Sequence, residues 1–319
     1  MFTDIKVGYS CNNCCIHCVV DPIRKHLEHR SRRIDSTTDE VLAAIKEAHD
    51  RGSRSIVLTG GEVTIRNDFP LLVDHAVALG LHVSVQTNGR RLAEWERRIG
   101  LGNIHAAFIV AVHGPVQAIH DAITRKDGSF EETIEGLRLL LGYKDISVTG
   151  KIVISKKNCR VLVDTLRFLA DLGVSQFNIA FPHAEEFSKE QFEAVVPQYH
   201  DIRDEAACCA NFVAGTKLHA TFETIPYCVT PECPALWNRS LDAVLITRST
   251  ENPGYIRATG DERLHEWEIE RRQIKSKQSD CAMCLFDKAC EGPWREYVDA
   301  YGVDEFRPLT NLEILNLLE

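Results

Sequence analysis

Short strand-like segments alternate with helical segments over the first 181 residues, and this alternation restricts the fold more than any other feature of the chain. The strand-like runs lie at 2–9, 55–58, 82–89, 106–112, 147–154 and 176–180, and helical patterns at 41–45, 71–79, 130–141 and 161–172 separate most of them. This order predicts parallel strands that crossover helices bury on both faces. Six strands are too few for the closed eight-stranded barrel, so we predict an α/β fold with a partial (β/α)6 barrel.

Polar residues follow these strands at their carboxyl ends. In chain order they are the cysteine-rich segment 11–18, the Gly-Gly-Glu motif at 60–62, Gln86 and Asn88, His113, residues 155–158, and His183. The carboxyl ends of parallel strands meet at one rim, which is where such sheets build their active sites. We therefore expect these groups to lie together.

The cysteine spacing in segment 11–18 predicts a metal cluster. Cys11, Cys15 and Cys18 form a C-x3-C-x2-C set, and Cys14 is an additional thiol. Three thiolates on one short loop can hold a [4Fe–4S] cluster and leave its fourth iron open, whereas structural zinc sites more often use paired C-x2-C units. Disulfides or free core thiols are the alternative, although a disulfide between near neighbours is strained.

The composition favours a reducing compartment. The chain has 12 cysteines, no signal peptide and no apolar run long enough to span a membrane. We therefore expect a cytoplasmic protein without a membrane partner, whose cysteines bind metal rather than form disulfides. The net charge of −9 disfavours nucleic-acid binding.

One basic stretch, Arg24 to Arg33, departs from this negative balance and follows the cysteine segment directly. It is either a solvated loop or a basic lip that attracts an anionic substrate, a leader peptide or a redox partner.

A second cysteine set lies in the C-terminal third of the chain. Cys281, Cys284 and Cys290 have C-x2-C-x5-C spacing, and one distant thiol would complete the four ligands of a fully ligated iron–sulfur cluster. Cys228, which follows a strand-like segment, is the favoured fourth ligand, and Cys233 is the alternative. A zinc site is the other interpretation, because four cysteines also satisfy zinc.

These motifs together resemble the radical S-adenosylmethionine (AdoMet) enzymes. The resemblance rests on the C-x3-C-x2-C segment near the amino terminus and on the Gly-Gly-Glu motif at 60–62. Segments 113–115, 120–125 and 128–130 are similar to a stretch found in the branch of that superfamily with C-terminal SPASM or twitch extensions. The likeness covers about residues 3–182 and the C-terminal cysteines.

The resemblance implies two regions and two clusters. A radical AdoMet core at 1–185 would hold the catalytic [4Fe–4S] cluster, and a small SPASM/twitch-like extension at 186–319 would hold one auxiliary iron–sulfur cluster. AdoMet would bind the open iron of the first cluster. A flavodoxin- or ferredoxin-type protein would supply the electron.

It also implies which residues contact AdoMet. Gly60 and Gly61 would let the backbone approach the methionine part, because glycine lacks a Cβ, and Glu62 would lie near the ammonium group. Further candidate contacts for the ribose or the carboxylate are Gln86, Asn88 and Lys151.

The resemblance leaves the substrate open. A 5′-deoxyadenosyl radical would abstract hydrogen from a ribosomally made peptide, leading to crosslinking, oxidation or epimerisation. Radical modification of a small molecule such as a sugar or nucleoside is the alternative, and an iron–sulfur electron carrier is a remote one. Because the chain begins directly at the first strand, we expect no amino-terminal peptide-recognition domain.

Three unassigned thiols, Cys208, Cys209 and Cys233, are candidate hydrogen donors or relays to a substrate radical. Such a thiol would return hydrogen in an epimerase, whereas an oxidative enzyme would pass an electron to the auxiliary cluster. Each thiol is also a candidate for ordinary core packing. We expect the oxidative outcome, because the auxiliary ligand set looks complete.

Overall fold

The computed structural model describes residues 2–185, 187–231, 233, 255–257, 265–266, 269 and 273–310. Its strands are β1 Phe2–Lys6, β2 Ser55–Thr59, β3 His82–Thr87, β4 Ala107–Ala111, β5 Val148–Val153, β6 Gln176–Ala180, β7 His219–Glu223, β8 Tyr255–Arg257 and β9 His265–Glu266. They form one sheet with the order β7-β6-β5-β4-β3-β2-β1-β8-β9. Neighbours pair in parallel except β8 and β9, which are antiparallel.

Helices lie at the four predicted segments, and further helices lie before, between and after them. They are α1 Asp21–His29, α2 Thr38–Asp50, α3 Phe69–Ala78, α4 Leu92–Ile99, α5 Gln117–Thr124, α6 Ser129–Leu141, α7 Leu162–Leu172, α8 Lys189–Val195, α9 Tyr199–Val213 and α10 Arg295–Tyr301. In α2, a capping box between Thr37 and Glu40 satisfies the first free N–H groups, and Val41 and Ile45 point into the core. None of the helices in the described ranges is both long and apolar enough to cross a membrane.

Strands β1 to β7 follow one another across the sheet in chain order. Right-handed crossovers that always advance in the same direction place their helices on the same side, so the sheet curls into a half-barrel with the helices outside. The outward strand residues, such as Ile5, Leu58 and Phe108, are fully buried against these helices and form the main core. The predicted partial barrel is confirmed.

The inner face of the half-barrel is only half-buried, so the prediction that helices bury both faces of the strands is wrong. Crossovers that wind in one direction leave the concave face without helices. This face carries charged side chains: Lys6 Nζ lies 3.6 Å from Asp4 Oδ1, and Lys151 Nζ lies 3.6 Å from Glu223 Oε2. The interior surface below the rim is therefore polar.

The sheet continues beyond the six predicted strands. β7 pairs with β6, because α8 and α9 provide one more crossover, and β8 pairs with β1 on the other side. Both added strands lie after residue 185. The division into a core at 1–185 and a C-terminal region at 186–319 remains a prediction.

An aromatic cluster attaches segment 273–310 to the barrel. The Tyr297 ring centroid lies 4.6 Å from that of Tyr199 and 5.7 Å from that of Phe181, and the Tyr297 hydroxyl accepts a hydrogen bond from the Tyr199 N–H at 3.0 Å. Phe306 packs on the same group, 5.4 Å from Tyr199. This packing holds the C-terminal cysteines against the end of β7.

Candidate metal centre

Segment 11–18 follows β1 and is tied to the end of α5. The N–H groups of Cys14 and Ile16 donate to the carbonyls of Thr124 and Ile123, at 3.0 and 2.9 Å. The last carbonyls of a helix have no partner within the helix, so α5 offers ready acceptors at this point. The cysteine segment is thereby fixed at the carboxyl rim, as its position after the first strand predicts.

Asn88 and Arg90, which follow β3, hold the same segment from the other side. The Arg90 guanidinium donates to the Asn12 carbonyl and to Asn13 Oδ1, and it pairs with Glu132. Asn88 Nδ2 donates to Asn12 Oδ1 at 2.7 Å. Arg90 was not predicted from the sequence, since a single arginine after a strand gives no spacing signal.

Cys11, Cys15 and Cys18 face one another at this rim, whereas Cys14 is exposed. Burial raises the pKa of all three thiols, to about 12 for Cys11. Cys11 and Cys15 also lie close enough to Cys18 for its charge to raise their pKa further. Grouped thiols that resist ionisation alone fit a bound metal cluster, because its positive charge stabilises the thiolates.

Gly60 and Gly61 pass directly over the chain that precedes the cysteine segment. A Cβ on Gly60, whose φ is +128°, would lie 2.2 Å from the Gly8 carbonyl oxygen, and one on Gly61 would lie 2.1 Å from the Ser10 carbonyl oxygen. The N–H groups of Gly61 and Glu62 donate to these same carbonyls at 2.7 and 2.8 Å. The two glycines are therefore required by backbone packing, while their contact with AdoMet remains a prediction.

Glu62 is buried at the rim with a fully oriented carboxylate. Its Oε1 accepts hydrogen bonds from the N–H and hydroxyl of Thr64 and from the hydroxyl of Thr87, and its Oε2 accepts one from the Asn88 N–H at 2.6 Å. Burial raises the pKa of Glu62 in spite of these bonds. A carboxylate fixed in this way can receive a cationic group without rearranging.

The other predicted AdoMet contacts lie around the barrel mouth. Asn88 touches the cysteine segment, whereas Gln86 faces the inside of the half-barrel, where its Oε1 accepts a hydrogen bond from the Thr59 hydroxyl at 3.2 Å. Lys151, on β5, faces the same interior beside Glu223. Their contacts with AdoMet stay predictions.

Three buried histidines lie in a row at the rim, and two of them, His17 and His113, are beside Cys15. The ring centroids of His17 and His113 are 4.5 Å apart, and those of His113 and His120 are 5.7 Å apart. One ring nitrogen each of His17 and His113 lies within 4.8 Å of the Cys15 sulfur. Burial lowers the pKa of His17 and His120 to about 4 and that of His113 well below its ordinary value. The three rings are therefore neutral at pH 7.

The second cysteine set is brought together from two distant parts of the chain. Burial raises the pKa of Cys228 to about 12, and Cys290, Cys284 and Cys281 lie close enough to raise it further. The N–H of Gly292 donates to the Cys290 sulfur at 3.3 Å. The structure thus brings Cys228 close to Cys281, Cys284 and Cys290, and their binding of one cluster remains a prediction.

The remaining candidate thiols lie in other surroundings. Cys208 is exposed and Cys209 is fully buried in the core, and both are in the second half of α9. This crossover helix runs from the rim back to the start of β7, so their position does not favour contact with a substrate at the rim. Cys233 is 4% exposed and its N–H donates to the carbonyl of Thr230. Their role as hydrogen donors remains a prediction.

Two acids with structural roles at the rim were not predicted. Asp121 accepts hydrogen bonds from the Ser129 hydroxyl and the Phe130 N–H, both at 2.8 Å, and so closes the turn from α5 to α6. Burial would raise the pKa of Asp121, but its hydrogen bonds outweigh this and lower it. Asp35 binds the N–H and hydroxyl of Ser10. Asp121 lies inside α5, eight positions before the start of α6, so no capping motif in the sequence indicates this contact.

The comparison with family models matches residues 5–169 to the radical SAM superfamily. This match spans more than half of the chain and includes the cysteine segment, the Gly-Gly-Glu motif and the three histidines. The chain belongs to the radical SAM superfamily. This family uses a [4Fe–4S] cluster and AdoMet, so the predicted membership in this enzyme superfamily and both of these cofactors are confirmed.

Curated relatives of this radical SAM protein have different names. The AdoMet-dependent heme synthase of Oleidesulfovibrio alaskensis is 25% identical over 248 residues, which are 71% of this chain and 60% of the relative. A probable GTP 3′,8-cyclase of Sulfurisphaera tokodaii is 26% identical over 203 residues, which are 62% of this chain and 59% of the relative. The chain spans about 60% of the length of these relatives.

Solved structures share the fold over nearly the whole chain. Streptococcus suis SuiB bound to S-adenosylmethionine has a TM-score of 0.63 at 12% identity, covering 97% of this chain and 76% of SuiB. Native anSMEcpe with bound AdoMet and Cp18Cys peptide has a TM-score of 0.61 at 14% identity, covering 99% of this chain and 94% of anSMEcpe. The likeness extends over the C-terminal cysteines, in agreement with the SPASM/twitch-like region predicted from the sequence.

Proposed function

We propose that this protein cleaves AdoMet reductively and abstracts hydrogen from a substrate with the 5′-deoxyadenosyl radical. The observation that carries the proposal is the grouping of Cys11, Cys15 and Cys18 at the barrel rim beside the Gly-Gly-Glu motif, with Cys14 left outside. Three thiolate ligands leave one iron open to the amino and carboxylate groups of AdoMet. When bound, the cluster would take one electron from the reductant and supply it for the cleavage of AdoMet into methionine and the radical.

The protein's own residues orient AdoMet in this proposal. Glu62 accepts a hydrogen bond from the ammonium group through Oε2. This oxygen accepts only one hydrogen bond among the described residues, whereas Oε1 already accepts three. The backbone of Gly60 and Gly61 lies along the methionine part. The side chains that remain for the ribose or the carboxylate are Gln86, Asn88 and Lys151.

Anaerobic incubation of the reconstituted protein with AdoMet and a reductant tests the reaction. We expect 5′-deoxyadenosine and methionine to accumulate in equal amounts. An iron–sulfur electron carrier would retain its iron and release no 5′-deoxyadenosine, and this result would contradict the proposal. The absence of bound iron would contradict it as well.

A ribosomally made peptide is the first candidate substrate. Two structures with the same fold were solved with peptides, SuiB with the precursor peptide SuiA and anSMEcpe with the Cp18Cys peptide. A small molecule is the second candidate, because a heme synthase and a GTP cyclase are among the sequence relatives. Mass spectrometry of peptides encoded beside the gene, after incubation with AdoMet, distinguishes the two.

The proposed outcome is oxidation of the substrate. A substrate radical either gains a hydrogen atom from a thiol or loses an electron, and Cys208 and Cys209 are poorly placed as donors. A crosslink or a new double bond would lower the peptide mass by about two hydrogen atoms. Solvent deuterium at a product carbon, abolished by Cys233→Ala, would instead indicate an epimerase.

In this proposal the second cluster is bound by Cys228, Cys281, Cys284 and Cys290, and Cys233 is not a ligand. Iron analysis of a Cys11/Cys15/Cys18→Ala triple variant should give roughly four irons per chain, against roughly eight in the unmodified protein. Adding Cys228→Ala should remove them, whereas adding Cys233→Ala as the matched control should not. Zinc in place of iron, or iron loss only with Cys233→Ala, would contradict the assignment.

A basic surface beside the cysteine segment is the proposed docking site of the electron donor. The stretch from Arg24 to Arg33 lies largely in α1 rather than in a loop, because Asp21 and Pro22 favour a helix start. No residue of α1 is buried, and the helix begins three residues after Cys18. A flavodoxin- or ferredoxin-type donor with an acidic face fits this surface on a chain of net charge −9. The cytoplasm, where such donors occur, remains the predicted compartment.

Charge reversal on this surface should slow reduction by a protein donor selectively. With a flavodoxin hydroquinone at low salt, we expect Arg30→Glu/Arg32→Glu to reduce the rate about tenfold or more, and the difference to shrink as salt rises. Reduction by dithionite should change little. The control Arg54→Glu/Lys144→Glu carries the same charge change before β2 and β5, on the opposite rim. Equal slowing in both variants would contradict this docking site.

A further inference from the structure

Cys15, His17 and His113 form a buried group whose histidines have no part in the proposed reaction. A sulfur and two ring nitrogens lie within 4.8 Å of one another. His17 Nδ1 is fully buried and has no hydrogen-bond partner among the described residues. A buried polar atom without a partner destabilises the fold, and a bound water, ion or other group is one explanation for such an atom in native structures.

The ring of His113 is held in one orientation and one tautomer. The Val153 N–H donates to His113 Nδ1 at 3.4 Å, so that nitrogen carries no proton and the ring N–H is at Nε2. Asn158 Nδ2 donates to the His113 carbonyl at 3.0 Å, and the His113 N–H donates to Nδ1 of His120 at 3.2 Å. Asn158 and His120 are themselves fully buried. His113 therefore has a fixed ring next to Cys15, with its N–H at Nε2.

We propose that His17 and His113 are positioning residues for the catalytic cluster. They donate N–H···S hydrogen bonds to the sulfur of Cys15, one of its proposed ligands. This inference rests on the proposed ligation by Cys11, Cys15 and Cys18. Hydrogen bonds to sulfur stabilise the reduced cluster more than the oxidised one, because the reduced cluster is more negative. The two histidines thus raise the reduction potential and make the cluster easier to reduce.

A redox titration of the reconstituted protein, followed by the EPR signal of the reduced cluster, tests the inference. His113→Phe keeps a ring but removes the N–H, and we expect the reduction equilibrium constant to fall about tenfold, which is about 59 mV for one electron. His17→Phe should shift the potential in the same direction. His113→Gln keeps an N–H donor and should restore part of the loss.

The matched control is His120→Asn, at a buried histidine of the same row that is not in the group around Cys15, because asparagine removes the ring and keeps an acceptor for the His113 N–H. We expect its potential to stay near that of the unmodified protein. A shift as large as that of His113→Phe would show that ring packing, not the N–H donor, sets the potential, and would overturn the inference. Equal potentials in all variants with full iron content would overturn it too.

One measurement needs no substitution. Pulsed EPR of the reduced protein, grown with 15N-histidine, should show a weak coupling from an imidazole nitrogen to the cluster. No coupling in a protein that carries its full iron would overturn the inference while leaving the proposed function intact. No cluster signal at all in the unmodified protein would instead contradict the proposed ligation by the three cysteines.

Discussion

Replacing Cys11, Cys15 or Cys18 by alanine is expected to abolish AdoMet cleavage, whereas Cys14→Ala should retain it. Cys11, Cys15 and Cys18 are partly buried at the rim and Cys14 is exposed, so we expect the first three to be the ligands. Each substitution would remove one of the three proposed iron ligands. We expect 5′-deoxyadenosine formation to fall by more than a hundredfold and the iron content by roughly four per chain.

Cys14→Ala is the matched control, because it removes a thiol from the same segment. Its N–H bond to the Thr124 carbonyl involves only the backbone and persists in the variant. Full iron content and near-normal 5′-deoxyadenosine formation are therefore expected. A dead Cys14 variant beside an active variant at one of the other three positions would show that the ligand register is wrong.

Gly61→Ala is expected to destabilise the protein and to prevent stable cluster assembly. The added Cβ would meet the Ser10 carbonyl oxygen at 2.1 Å, far inside contact distance, and would break the hydrogen bonds that join this motif to the chain before Cys11. Because the contacted atom belongs to the backbone, it cannot move aside as a side chain would. We expect a loss of about 3 kcal/mol in the free energy of unfolding, at the upper end for overpacking. Urea denaturation and iron analysis measure the two effects.

Two other glycines provide the controls for this experiment. Gly142 also has a negative φ, −69°, and its Cβ would lie 3.2 Å from the nearest atom, the Leu139 carbonyl oxygen. Gly80 has a φ of +78° with nothing within 4 Å of a Cβ. Gly80→Ala therefore measures the free-energy cost of positive φ alone, and it is the control for a Gly60→Ala variant. Gly61→Ala with normal iron and no greater loss of stability than Gly142→Ala would contradict the packing role.

The sequence alone predicts the half-barrel and the three ligands of the first cluster. Strand and helix periodicities are local, and they recur over 181 residues in an order that few folds accommodate. The register of Cys11, Cys15 and Cys18 is likewise local, because the ligands of one cluster must meet within a single short loop. For the same reason the Gly-Gly-Glu motif is recognisable without any tertiary information.

Contacts between distant residues were decided only by the tertiary structure. Arg90 contacts Asn12, which is 78 positions away, and the N–H of Gly61 donates to the Gly8 carbonyl after the neighbouring strand. No repeating pattern in the sequence predicts either contact. The polar inner face also depends on the tertiary structure, because the alternation of residues along a strand does not show whether helices cover one side of the sheet or both. Charges near Cys228 come from cysteines more than 50 positions away, and His17 meets His113 only when β4 lies in place. Local patterns predict the ligand chemistry, and the curling of the sheet into a half-barrel determined which side chains surround the cysteines.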